Sequence, residues 1–254
     1  NHQSFFRYDE EFDDWIYESP NETGNFTATV MSWPTAFIDD DEEYNSEIWD
    51  DLLLSRLEIS SRLNEENFNL DDPNPTGYYQ GWGPTSQDVA IPAFMSAYLG
   101  LDPQTVALDI FKAPVAPNWR ITYDGLSKIP ALKKTFRRFN LSHTYRSTMS
   151  TSYTTNLQYS EDGNGLPTAT DNGDYSNFIS QRQFNTVSIN EQLSPLIGLD
   201  MTIKTASDNE PQLKLEITRD RNVSFGLANY QITETKSKGV VIGVGYKFAD
   251  VRNP

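Results

Sequence analysis

The chain has 254 residues, no cysteine and a net charge of −16, which excludes disulfides and thiolate metal sites. The charge is lopsided: residues 1–80 hold 20 Asp and Glu against 3 Arg, a balance of −17, and residues 81–254 hold 16 acids against 17 bases, a balance of +1. Acidity so concentrated argues against nucleic-acid binding, which needs a basic footprint, and predicts either a solvated loop region or an electronegative surface for a basic partner.

In chain order, residues 1–39 are acidic and aromatic-rich, with one strand predicted over Asn25 to Met31, where Phe26, Ala28 and Val30 share a face. The acidic run Asp39 to Glu43 leads into residues 40–118, a helical insertion. Ser46 is a fitting N-cap with Glu47 in the first turn, and Ile48, Leu52, Ile59 and Leu63 form an apolar stripe flanked by Trp49, Leu53 and Leu57. A second helix is expected over Pro92 to Leu99, stopped by Gly100, with Ser86 capping a preceding turn.

Residues 119–254 read as strands. Trp119, Ile121 and Tyr123 alternate with Arg120 and Thr122 before the turn pair Asp124-Gly125. From Phe139 to Tyr159 the odd positions are mostly aromatic or aliphatic and every even position is polar. Such a ribbon is one strand with two unlike faces, far longer than the usual ~5 or 6 residues. After a turn-rich loop at Ser160 to Asp174, strands resume over Tyr175 to Asn190, with a face switch near Asn185. Leu199 to Ile203 marks the next. Leu213 to Ile217 follows a turn at Ser207 to Glu210, another strand begins near Val223, and Val240 to Phe248 is the last. Short links between most of them predict an antiparallel meander.

A strand of about 21 residues spans roughly 69 Å at ~3.3 Å per residue and, tilted, still rises about twice the ~25 Å apolar band of a bacterial barrel. No run of about 18 apolar residues is present, so a spanning helix is excluded while a spanning barrel is not. The start, Asn1-His2-Gln3, has no signal-peptide character, so an export signal is expected to be removed or to lie in a longer precursor. Alternation alone fits two architectures: a membrane wall, or a soluble envelope β-domain that binds glycans through exposed Tyr and Trp. On the first, lumen-facing residues are Arg120, Asp124, Arg146, Thr148 and Asn156, and lipid-facing ones Tyr145, Met149, Tyr153 and Leu157. Six or seven strands this long cannot close a barrel of sensible diameter, so further strands of a longer parent chain are expected to complete it.

Chemistry has little to work with. His2 and His143 are the two histidines, too few for a histidine metal site or a Ser-His-Asp triad. Asp71-Asp72-Pro73-Asn74 and Glu161-Asp162-Gly163-Asn164 read as turns, and Gly243 and Gly245 sit inside a strand pattern, where they admit another backbone or let the sheet curve. Neither an enzyme nor a cofactor is expected.

The segment Pro117-Asn118-Trp119-Arg120-Ile121-Thr122-Tyr123-Asp124-Gly125-Leu126-Ser127-Lys128-Ile129-Pro130 is the most distinctive in the chain. With Gly83-Pro84-Thr85-Ser86-Gln87-Asp88-Val89 and Ile91 to Phe94 upstream, and Leu141 to Ser147 and Gly243 to Arg252 downstream, it resembles the SprA/Sov family over about Trp82 to Val251. These are outer-membrane translocons of the type IX secretion system of Bacteroidetes, also known for gliding motility. The resemblance implies a single-chain barrel of very many strands that passes folded cargo proteins, opens laterally to a PorV-type shuttle protein and meets a plug protein on the periplasmic side. It carries over no catalytic residue. Such translocons are several times longer than this chain, which implies a fragment.

Overall fold

Long period-two stretches must pair along their length to satisfy their backbone groups. The computed structural model describes residues 2–43, 45–68, 70, 72–205 and 210–247, the side chains of 2–5, 7 and 17–21 excepted. Its strands are β1 (His2–Asp9), β2 (Asp14–Thr29), β3 (Trp119–Tyr123), β4 (Phe136–Thr155), β5 (Arg182–Ile203), β6 (Glu210–Gly226) and β7 (Gln231–Lys247). They form one open sheet in the order β1-β2-β4-β5-β6-β7, with β3 also paired to β4. The pairs of β1 with β2, and of β2 and β3 with β4, are antiparallel. Thr23 to Thr29 of β2 pair with Thr154 to Thr148 of β4, and Trp119 to Tyr123 of β3 with Tyr145 to Leu141. Two sequence-distant segments thus take successive stretches of one neighbour, and residues 30–118 are an excursion between them.

Several boundaries differ from the sequence expectation, each for a local reason. Where alternation predicts one strand at Asn25 to Met31, β2 starts at Asp14 and β1 precedes it. Acidic and turn-forming residues such as Glu18, Asn21 and Glu22 hide the pairing stretch in the sequence. β4 ends at Thr155, because Asn156 to Tyr159 form a turn closed by the Tyr159 N–H donating to Asn156 O at 3.1 Å. β5 is one strand of 22 residues, since Glu191 and Leu193 continue the buried parity of Val187 and Ile189 across the predicted gap. The switch near Asn185 is present: Phe184 and Val187, of opposite parity, both reach the same core. The two stretches expected around Leu213 and Val223 are likewise one strand, β6. The turn over 207–209, Asp71, and the ending Phe248 with Asp250 to Arg252 lie outside the described residues.

Two helices fill the excursion, α1 (Glu47–Asn67) and α2 (Gln87–Leu99). Ile48, Leu52, Ile59 and Leu63 are buried as the stripe predicts, while Trp49 lies off it and is exposed. α2 begins five residues earlier than expected and carries Pro92 inside, at the cost of the hydrogen bond to Asp88 O. Every residue from Val89 to Leu99 is buried, and a helix apolar all round belongs in an interior. Gly100, at φ 66°, ends it with its N–H donating to Ser96 O.

The chain forms two compact units: Asn1–Ala116, Thr148–Ile189 and Val223–Thr233 in one, and Pro117–Ser147, Asn190–Asn222 and Glu234–Pro254 in the other. The first has a core in which Val89, Phe94 and Met95 of α2 and Ile59 of α1 cluster with Met149, Val187, Val223 and Phe225 of the sheet. Phe94 stacks on Phe225 at 5.5 Å between ring centroids. The second is built from β3 and the remaining stretches of β4 to β7.

Candidate functional site

In the second unit the two faces of the sheet have opposite chemistry. A Cβ at Gly243 would lie 3.3 Å from Lys214 Cβ, and one at Gly245 would lie 3.6 Å from Gln212 Cβ, so these four positions share a face. Gly198 and Ser142 share it by the same geometry in β5 and β4, and Arg120, opposite Thr144, extends it to β3. A shallow trough of about 460 Å³ lies over it, lined by Arg138, Asp200, Thr202, Gln212, Lys214, Gly243 and Gly245, with Met201, Leu213 and Val244 of the alternate parity also bordering it. Lys214 Nζ is 2.8 Å from Glu216 Oε1 on this face. The missing side chains at the two glycines keep the trough floor at backbone level.

The opposite parity carries Leu213, Leu215 and Ile217 of β6 with Val240, Ile242, Val244 and Tyr246 of β7. Ile197, Leu199, Met201 and Ile203 of β5, and Ile121 and Tyr123 of β3, belong to it as well. None of these positions is charged. Val240, Ile242 and Val244 are 66%, 69% and 82% exposed, so this apolar row is bare rather than covered by protein. From 240 to 246 it runs roughly 20 Å at ~3.3 Å per residue.

Further along the same parity the unit turns ionic and buried. Arg221 Nε lies 2.6 Å from Glu234 Oε1, and Lys236 Nζ 3.4 Å from the same oxygen. Tyr145 donates its hydroxyl to Glu191 Oε1 at 3.0 Å, with its ring stacked on Trp119 at 4.3 Å. Glu191, Arg219 and Arg221 are all buried. Buried charge persists in a fold where it is paired.

The first unit has its own cleft, of about 310 Å³, where α2 meets the start of β5. Gln87 Oε1 accepts from the Phe184 N–H at 2.7 Å, and the Ser180 hydroxyl donates to Asp88 Oδ2 at 3.0 Å. Burial pushes the Asp88 carboxyl above the ordinary carboxylate range; the Ser180 hydrogen bond opposes this and the Asp109 charge adds to it. Arg182 lies over the rings of Phe111 and Tyr153, at 5.1 and 5.7 Å. These groups bind helix to strand. The following loop is held similarly: Asn177 Oδ1 accepts from Gly83 N–H at 2.9 Å and its Nδ2 donates to Thr85 Oγ1 at 3.0 Å. Burial, with the Glu161 hydrogen bond, moves the nearby Tyr159 phenol up to about 12.

The residues singled out by sequence fall unevenly on this geometry. Arg120 and Arg146 are exposed on the polar face, and Thr148 is half-buried at the same parity, paired with Thr29. Asp124 lies beyond β3, its carbonyl accepting from the Ser127 hydroxyl, and Asn156 lies in the turn after β4, its N–H donating to Gln181 O. The lipid-facing set needs correction. Met149 and Tyr145 are fully buried, the first in the core that the helices share with the sheet and the second against Trp119. Tyr153 is half-buried beside Phe111 and Phe184, and Leu157 is exposed but off the strand. Alternation shows which side a residue takes; it is silent about what covers that side.

The buried Glu191, Arg219 and Arg221, the last paired with half-buried Glu234, went unforeseen, although Arg219 and Arg221 share parity with Val223 and Phe225. That shared parity is the signal that could have revealed it. His143, on the apolar parity, has Nδ1 2.7 Å from Leu196 O. Among the described residues, no group of three or more His, Cys, Asp or Glu is arranged to hold a metal ion. No protein-family model matches this chain, and no curated protein matches it.

Proposed function

We propose that this chain supplies staves to a very large transmembrane β-barrel of the bacterial outer membrane, the protein-conducting translocon of a type IX secretion system. The observation that carries this reading is the two-faced sheet of the second unit: a bare, uncharged apolar row at Val240, Ile242 and Val244, backed by a polar face with Arg138, Lys214 and Asp200. A wall between lipid and water needs that pairing of faces. Its row of roughly 20 Å approaches the ~25 Å apolar band of such barrels. The lipid-facing residues of this reading are therefore Ile217, Val240, Ile242 and Val244, and the conduit is lined by Arg120, Arg146 and the trough residues.

The sheet order ends in β7, 17 residues long, on one side and β1, 8 residues long, on the other, and further strands of the parent chain would occupy these open edges. Passage through such a conduit requires no bond chemistry from the wall. The chain's role is to keep lipid out and the path wet, while a PorV-type shuttle, a periplasmic plug and the folded cargo are its partners.

The test substitutes Arg at Ile242 or Val244 and, separately, at Gln212 or Thr218, in the parent protein folded into bilayers. Arg on the lipid row costs ~2–4 kcal/mol near the bilayer midplane, whereas Arg on the wet face is tolerated. Equal tolerance of both sets overturns the face assignment. Recovery of the parent protein without detergent, with retardation in glycan affinity gels, would instead support a soluble glycan-binding domain.

A further inference from the structure

The excursion holds a second surface that the barrel reading does not use. A groove of about 820 Å³ runs beside α1, between that helix and the chain around the end of α2. Leu54, Leu57 and Leu101 contribute apolar floor, and Asp51, Glu58 and Asp102 stand around it; no Lys or Arg lines it. Leu54 is 66% exposed, an unusual placement for leucine on a helix whose other face is buried. Asp51 and Glu58 have no ion-pair partner among the described residues. The nearby Arg62 donates its Nη1 to Pro103 O and Val106 O, at 2.7 and 3.0 Å, and makes no ion pair with Asp51 or Glu58.

Asp51, Leu54 and Glu58 follow at spacings of three and four, so α1 shows acid, leucine, acid along one side. The complement is a helix that repeats base, apolar, base at the same spacing. We infer that this groove docks a basic amphipathic helix of a partner protein. A second copy of this chain fits poorly, because a net charge of −16 opposes self-association. An anionic lipid surface is repelled by the same rim.

The experiment titrates the intact protein in detergent with a fluorescein-labelled amphipathic Lys/Leu helical peptide, read by anisotropy at low and high salt. A peptide of identical composition with scrambled leucines is the control. The amphipathic peptide binds, the scrambled one binds at least ~10-fold more weakly, and affinity falls with salt. The double substitution Asp51→Lys/Glu58→Lys weakens binding ~10-fold or more. Leu54→Gln also weakens it, with the thermal unfolding midpoint unchanged because the side chain is already exposed. Equal binding of the two peptides, or full affinity after the charge reversal, overturns the proposal. So does sedimentation of the free protein as a dimer that Leu54→Gln dissociates. The readout involves neither membrane insertion nor the apolar row of β7, so it can fail while the barrel reading stands, and the reverse.

Discussion

At the scale of the residue, most is at stake where polarity is buried. Buried Arg221 pairs at 2.6 Å with half-buried Glu234, whose same oxygen Lys236 also approaches at 3.4 Å, so it is removal of Glu234 that strips an ion pair from a buried charge. Glu234→Met is expected to cost ~1–3 kcal/mol in chemical denaturation, and the double variant Arg221→Met/Glu234→Met to recover most of that loss. Asp88 differs, because burial raises its carboxyl above the ordinary 3.8. A raised folded value means the native state holds the proton more tightly than the unfolded chain. Its stabilising contribution is complete below pH 3.8 and disappears as pH climbs through the raised folded value. Asp88→Asn keeps an acceptor for Ser180 and cannot ionise. Its unfolding midpoint should match the parent's in acid and exceed it at neutral pH, as a pH series of thermal melts would record.

At the scale of the element, the limits of the strands depend on neighbours more than on composition. β5 continues through Ser194 and Pro195, which in isolation read as a break, because Glu191 and Leu193 keep their buried parity and Tyr145 supplies a hydroxyl to Glu191. β4 stops short of Leu157 because Asn156 turns the chain. Helix α1 was readable from its stripe, with Ser46 at the N-cap position though its side chain makes no capping hydrogen bond, yet α2 was legible only from Pro92 onward, since proline ordinarily marks a helix start rather than its interior. Its end is sharply defined. Gly100 sits at φ 66°, and a Cβ there would lie 2.7 Å from Pro34 Cβ. Gly100→Ala is expected to lower stability by about 1–2 kcal/mol from the left-handed backbone alone, with the Pro34 clash adding to it. Gly163→Ala, which would meet nothing within 4 Å, serves as the silent control in the same melts.

At the scale of the whole molecule, alternation made the antiparallel sheet and its two chemistries readable in advance, through Val240 to Tyr246 and the polar even positions of β4. It misassigned Met149 because a strand's own pattern cannot announce that sequence-distant residues enclose it in a core. The acidic half behaves similarly. Its composition signals a negative surface, while the grouping of Asp51, Glu58 and Asp102 around exposed Leu54 required the helices to be in place. The Arg scan of Ile242, Val244, Gln212 and Thr218 therefore tests the feature the sequence encodes most directly. The peptide titration tests one that only tertiary structure assembles.

Residues 30–118 leave the sheet and rejoin it without disturbing the register of its strands. Ala116 donates its N–H to Thr29 O at 3.0 Å, so the detour departs and returns at nearly the same backbone position. Lengthening, trimming or exchanging it need not slide any strand against its neighbour. Changes of length are therefore best absorbed in its loops, because Val89, Phe94 and Met95 of the detour form one core with Met149, Val187, Val223 and Phe225 of the sheet.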